Sequence, residues 1–225
     1  MIQCCIFDLD GTLLNSIYAL QESVNRTLAH FGLEPVTEED TKRFVGDGYK
    51  KLIERALHYR GDRDKEHYEK GIRLYQEIFR EYCLYRVEPY DGIPELLRFL
   101  KEQGIRTAVL SNKPHERTED NIRGTLGMEQ FDCVYGEREA QGIPKKPSPE
   151  GLWKILEELQ VDKENCLYLG DTNTDMITAD AAGVAAVGAA WGFRSREELE
   201  EFSPCLVADT PFQVIDYIKG VDRVE

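Results

Sequence analysis

Two aspartates, Asp8 and Asp10, follow an apolar run, C-C-I-F, and stand just before Gly11 and Thr12. Acids are poor residues for the end of a buried strand unless something compensates their charge. Two further apolar runs end in polar groups. T-A-V-L at 107–110 leads into Ser111 and Asn112, and C-L-Y-L at 166–169 leads into Gly170, Asp171 and then Asp175. A fourth segment, I-P-K-K-P-S-P at 143–149, presents Lys145 and Lys146 on a backbone stiffened by three prolines. If the three runs are neighbouring parallel strands, their polar ends meet at one place, where open α/β sheets bind ligands.

That place would gather Asp8, Asp10, Asp171 and Asp175. Four carboxylates in one cleft repel one another, and a divalent cation is the simplest remedy. Oxygen ligands without histidine favour a hard ion, Mg2+ before Ca2+ or Zn2+, and Mg2+ also accepts oxygens from a substrate phosphate. The Ser111 hydroxyl, the Asn112 amide and backbone N–H groups near Gly11 and Thr12 suit the same anion. A lysine among the acids would neutralise both an attacking carboxylate and the phosphate. Each fragment alone reads equally well as a solvated turn, a helix cap or a surface loop. Four of them, in this order and three at strand-like ends, describe a phosphate-handling centre.

The elements that must position these groups are legible as alternation. Strand-like runs at 2–7, 106–110, 133–135, 166–169, 185–187 and 205–207 are separated by helical periodicity at 93–103, 115–126, 149–159, 175–182 and 211–218. Strand and helix in turn predict an α/β fold with a largely parallel sheet and right-handed crossovers. Residues 16–87 break the pattern. Val24, Leu28 and Phe31 share one helical face, as do Leu52, Ile53, Ala56 and Leu57, and residues 35–40, P-V-T-E-E-D, read as a turn, a cap and an acidic first turn. This is the pattern of an all-helical insertion between the first strand and the rest of the sheet. The expected division is a core of residues 1–15 and 88–225 and a helical unit of residues 16–87.

Composition narrows the class of partner. With 41% apolar and 31% charged residues among 225, the chain is expected to fold as a soluble protein. A formal net charge of −14 argues against nucleic acid, whose phosphates are bound by clustered Lys and Arg. No apolar stretch approaches the ~18 residues of a membrane span, and no signal-peptide pattern opens the chain, so a cytosolic protein without a membrane partner is expected. The six cysteines are scattered with no CxxC pair; Cys4, Cys5, Cys166 and Cys205 lie in strand-like runs and are expected to be buried thiols. The four histidines show no zinc-like spacing. Nothing in the sequence fixes the oligomeric state.

The motifs D-L-D-G-T-L at 8–13, S-N-K at 111–113, K-P-S-P at 146–149 and G-D-T-N-T-D at 170–175, the last followed by A-D-A-A-G-V at 179–184, resemble those of the haloacid dehalogenase superfamily. The resemblance covers nearly the whole chain. It implies a Rossmann-like core with a C1-type helical cap inserted after the first strand. It implies Asp8 as the nucleophile that carries an aspartyl-phosphate, and Asp10 as general acid and then general base. It places Mg2+ on Asp8, the Asp10 carbonyl and Asp171, with Asp175 close by. Ser111, Asn112 and Lys146 would bind the phosphoryl group; Lys146 is preferred to Lys145 because the superfamily's lysine directly precedes a proline. Asn15 departs from the pattern, many relatives carrying Asp there, but lies outside the catalytic set.

The insertion carries a second resemblance. F-V-G-D-G-Y-K-K-L-I-E-R-A-L at 44–57, together with P-Y-D-G at 89–92 and S-N-K-P at 111–114, is similar to phosphoglycolate phosphatases. Gly46 and Gly48 would let backbone N–H groups approach a small anion, Lys113 would join the substrate site, and Arg43, Lys50, Lys51 and Arg55 would supply positive charge. The implied function is a Mg2+-dependent phosphatase for a small phosphorylated metabolite such as 2-phosphoglycolate. A pyrophosphatase, a broad sugar-phosphate phosphatase and a β-phosphoglucomutase-type phosphotransferase share the motifs. A receiver-like domain storing an aspartyl-phosphate is disfavoured by the second acid of D-x-D and by the insertion.

Overall fold

The computed structural model describes residues 1–221; the last four positions of the 88–225 segment lie outside them. β1 (Cys4–Phe7) runs at the centre of a six-stranded parallel sheet. It is flanked on one side by β4 (Arg106–Pro114) and β5 (Cys133–Glu137), and on the other by β6 (Cys166–Gly170), β7 (Ala185–Ala189) and β8 (Leu206–Ala208). β1 pairs with both neighbours in one register, Phe7 opposite Val109 and opposite Leu169. The chain therefore reverses its direction of sheet growth at β1, which is where such sheets open a crevice beyond their carboxyl ends.

Both sheet faces are covered, so the strands are apolar on both sides rather than alternating with polar residues. Cys5, Phe7, Val109, Leu167 and Leu169 face one apolar cluster, shared with α5 (Ile93–Glu102) and α10 (Pro211–Val221). Cys4, Ile6, Ala108, Leu110 and Tyr168 face the other, built by α7 (Glu150–Leu159) and α8 (Asn173–Ala182). The crossover helices are amphipathic; Leu152, Ile155, Leu156 and Leu159 form the buried stripe of α7.

The helical insertion is α1 (Ile17–His30), α2 (Glu38–Phe44), α3 (Tyr49–Tyr59) and α4 (Tyr68–Tyr82). Thr37 caps α2 in a reciprocal capping box with Asp40, as its sequence predicts. The chain leaves and rejoins the sheet region through two short strands that the sequence reading missed, β2 (Leu14–Asn15) and β3 (Glu88–Pro89), paired antiparallel. Two residues each give no periodic signal.

Two expectations need correction. β4 does not stop at Leu110 but continues through Ser111, Asn112 and Lys113 to Pro114, with an irregular register against β5 over that stretch. The polar run is thus held as extended chain beyond the regular ladder. Cys205 is exposed: it lies one residue before β8, at the sheet edge, where its backbone N–H and thiol both reach the Ala186 carbonyl. The other five cysteines are buried, and all six are free. Among the described residues, no helix is long and apolar enough to cross a membrane.

Leu152 is fully buried in the second cluster. Leu152→Ala is expected to lower unfolding stability by about 2–5 kcal/mol in urea melts, while the folded fraction keeps its activity.

Candidate active site

Asp8, Asp171 and Asp175 converge beyond β1 and β6, and their carboxylate oxygens lie within 4.8 Å of one another. Lys146 enters from the loop before α7. Its Nζ donates to Asp8 Oδ1 at 2.9 Å, to Asp175 Oδ1 at 2.7 Å and to the Tyr168 hydroxyl at 3.0 Å. All three ammonium protons are used. Lys145 instead faces Glu139 at 3.5 Å.

Three buried carboxylates against one ammonium leave an excess of negative charge. Burial, opposed by Lys146 and reinforced by Asp175 and Asp10, pushes the Asp8 carboxyl up to about 7. Burial and then the Asp175 and Asp8 charges push Asp171 well above the usual carboxylate range. Burial would weaken the proton on Lys146, but Asp175 and Asp8 outweigh it and raise the ammonium above its ordinary value. An all-oxygen, anionic cluster of this kind fits a hard divalent cation such as Mg2+.

Asp171 is aimed by its neighbours. Thr12 Oγ1 donates to Oδ1 at 2.9 Å and the Phe193 N–H to Oδ2 at 2.9 Å. Gly11, at φ +86°, and Gly192 press against it so closely that a Cβ at either would meet Asp171 atoms at 2.1 and 2.3 Å. Asp175 is held more fully. Oδ1 accepts from Lys146 and Tyr168, and Oδ2 accepts from the backbone N–H and hydroxyl of Thr172, the N-cap of α8.

Asp10 does not share an extended strand with Asp8. The chain turns after Leu9, whose carbonyl accepts from the Leu13 and Leu14 N–H groups. Asp10 Oδ1 accordingly meets Lys113 Nζ at 2.7 Å and Ser16 Oγ at 2.5 Å, apart from the three-carboxylate cluster. Asp8 and Asp10 still face one cavity of about 50 Å3, with Gly46, Gly48, Ser111, Asn112 and Lys113 also in its lining. The insertion supplies an apolar and aromatic wall, including Tyr49, Tyr75 and Phe79.

Several polar groups are placed differently from the first expectation. Asn112 uses its side-chain amide on the backbone of Lys146, accepting from N at 2.9 Å and donating to O at 3.0 Å, and on the Gly46 carbonyl at 3.1 Å. It holds the lysine segment. Thr12 spends its hydroxyl on Asp171. Ser111 Oγ accepts from the Lys113 N–H at 3.2 Å, which leaves its own proton to donate. Gly46 and Gly48 have φ of +123° and +83°, conformations that glycine alone adopts readily.

The basic residues of the insertion do not serve this cavity. Arg43 pairs with Asp40, Arg55 with Asp47 and the Phe44 carbonyl, and Lys51 with Glu54 at 2.7 Å. Lys50 lies over the Tyr49 ring, 6.0 Å from its centroid. Lys113, nearly buried, is the cation lining the cavity, and the Phe79 ring lies 5.1 Å from its Nζ. Tyr168 and Ser16 were missed from sequence. Tyr168 occupies an ordinary inward-facing strand position, and only the neighbouring strand and loop reveal its hydroxyl's partners.

Residues 5–189 match the haloacid dehalogenase-like hydrolases. The chain is 35% identical to the phosphoglycolate phosphatase of Rhodospirillum rubrum, over all of this chain and 95% of that protein. It is 35% identical to the phosphoglycolate phosphatase of Neisseria meningitidis over 85% of this chain and 82% of that one. A crystal structure of a protein from Lactobacillus delbrueckii subsp. bulgaricus superimposes with a TM-score of 0.88 at 27% identity, over 96% of this chain and 98% of the other. With the motifs, the sheet and the acidic cluster in agreement, the chain belongs to the haloacid dehalogenase-like hydrolase family.

Proposed function

We propose that this chain is a Mg2+-dependent phosphatase that hydrolyses a small phosphate monoester, with 2-phosphoglycolate the first choice, through an aspartyl-phosphate on Asp8. The observation that carries the reading is the placement of Asp8 between Lys146 and the acidic pair Asp171 and Asp175, at the wall of a small cavity that also holds Asp10. The relatives named above, phosphoglycolate phosphatases, support the choice of substrate.

In this reading Asp8 attacks phosphorus as a carboxylate, a phosphorus–oxygen bond to Asp8 forms, and the bond to the leaving oxygen breaks. Asp10, protonated, gives its proton to that oxygen. In the second step Asp10 accepts a proton from water as the water oxygen bonds phosphorus and the Asp8–phosphorus bond breaks, releasing phosphate. Splitting the transfer replaces one difficult displacement with two easier ones. Lys146 removes the repulsion between Asp8 and the anionic ester, and Ser111 donates its hydroxyl proton to a phosphoryl oxygen. Asp8, Asp171 and the Asp10 carbonyl would hold Mg2+, with Asp175 beside them; the ion supplies compensating charge for the phosphoryl oxygens.

Ser16 and Lys113 hold Asp10 from two sides. The hydroxyl of Ser16 ties it to the start of α1, the first helix of the cap. Lys113, on β4, is placed to meet a second anionic group, such as a carboxylate, in a cavity whose cap-derived walls are uncharged.

Phosphate release from a panel of phosphomonoesters, with and without Mg2+, tests the reading. Turnover is expected with Mg2+, to vanish in EDTA and to return on adding Mg2+ back; 2-phosphoglycolate should rank first. A different ester preferred by orders of magnitude would sink the substrate choice and leave the chemistry standing. Isomerised sugar phosphate without free phosphate would point to a mutase, and a phosphorylated protein stable for minutes to a receiver.

Asp8→Asn should abolish turnover with little change in thermal unfolding. Near-normal turnover in that variant would remove Asp8 as the nucleophile. Asp10→Asn should slow turnover by about 10^2–10^4-fold, as loss of a proton-transfer group does.

A further inference from the structure

The segment 191–194, W-G-F-R, follows β7 and lies outside the motifs used above. Its contacts run in three directions. Trp191 Nε1 donates to the Thr12 carbonyl at 3.0 Å, in the loop that follows Asp8 and Asp10. The Phe193 N–H holds Asp171 Oδ2, and Gly192 is wedged between Asp171 and the Gly11 carbonyl, which a Cβ would meet at 2.4 Å. Arg194 then crosses to the insertion: Nη1 donates to the Lys42 carbonyl at 2.5 Å and Nη2 to the Val45 carbonyl at 2.9 Å.

Those two carbonyls belong to the C-terminal end of α2, where helix oxygens lack intrahelical partners and the helix dipole favours a cation. Beyond it lie Gly46 and Gly48, which line the cavity. Two further groups grip the same stretch from the sheet side. Asn112 Nδ2 donates to the Gly46 carbonyl, and Thr174 Oγ1 donates to Asp47 Oδ1 at 2.9 Å. Burial alone would raise the Asp47 carboxyl, but hydrogen bonds from Arg55 and Thr174 outweigh it and hold it below the usual range, as a charged acceptor.

We propose that Arg194 is a positioning residue: its guanidinium fastens residues 42–48 over the phosphoryl site, in register with the Asp171 end of the acidic cluster. The proposal rests on the phosphatase reading for its kinetic consequence. The contact needs a planar fork, because two acceptors three residues apart are each met by a different Nη atom. A lysine offers one point charge and cannot span both. The segment also gives the tie a direction. The backbone N–H of the residue before Arg194 holds Asp171, so a loop seated on Arg194 is seated relative to Asp171.

The experiment compares the full chain with Arg194→Ala, Arg194→Lys and, as a control, Arg196→Ala, whose side chain pairs with Glu200 and Asp209 away from the site. KM for the best ester of the panel is expected to rise about tenfold or more in both Arg194 variants, the worth of one charge-assisted hydrogen bond, with kcat within about threefold of the parent. Amide hydrogen exchange should quicken at 42–48 without quickening in β1, β4 and β6. Protection of 42–48 by added inorganic phosphate should weaken. Arg196→Ala should match the parent in all of these.

A KM within about twofold of the parent, with unchanged exchange at 42–48, would overturn the proposal. So would recovery by Arg194→Lys, or faster exchange spread evenly across the sheet, which would mark a purely structural role. If no phosphomonoester is turned over by the parent, the phosphatase reading falls, and exchange at 42–48 alone decides the fate of the Arg194 tie.

Discussion

The arrangement depends on one electrostatic constraint: three buried carboxylates are held together with one ammonium among them. Carboxylates gathered this way repel, and burial raises the cost of each charge. The cluster persists because each member is fixed by something other than its neighbours. Asp175 is locked into the cap of α8, Asp171 is pinned by Thr12 and the Phe193 N–H, and Asp8 follows directly on the central strand. Lys146 is fixed in turn by Asn112, which grips its backbone on both sides. Hydrogen bonds from rigid elements thus oppose a repulsion that would otherwise spread the acids apart, and the remaining charge excess is what suits the site to a hard cation.

The sheet makes this possible by register. β1 matches β4 and β6 row for row, so the first residues past each strand arrive at one level. The two sheet faces carry separate apolar clusters, and Tyr168 joins one of them to the site through its hydroxyl alone. The site can therefore keep an unfavourable charge distribution that the hydrophobic layers below it tolerate.

Much of this was legible in the chain because it is local. A buried strand announces itself by its apolar run, a crossover helix by its period, and the acids by their position at a run's end. The four motif segments were readable for that reason, and α2's capping box as well. What escaped reading depends on distant partners. Tyr168 looks like any inward strand residue until Lys146 and Asp175 are seen beside its hydroxyl. Arg43, Lys50, Lys51 and Arg55 read as a charged rim, because sequence gives residue type and not the direction of a side chain. Their real partners, Asp40, Glu54, Asp47 and the Tyr49 ring, lie within the insertion itself. Cys205 was misjudged by a single residue: the strand begins one position later, at an edge where burial is incomplete.

The narrow neck between the sheet and the insertion has a consequence for how such a chain can change over generations. The two connecting strands sit side by side, Leu14 against Pro89 and Asn15 against Glu88. Whatever lies between them begins and ends at nearly the same point in space. Lengthening, shortening or replacing that interior leaves the span it must bridge the same, and the closure entropy grows only slowly with loop length. The sheet and its acidic cluster can therefore stay fixed while the insertion is exchanged, a modularity that follows from four paired residues.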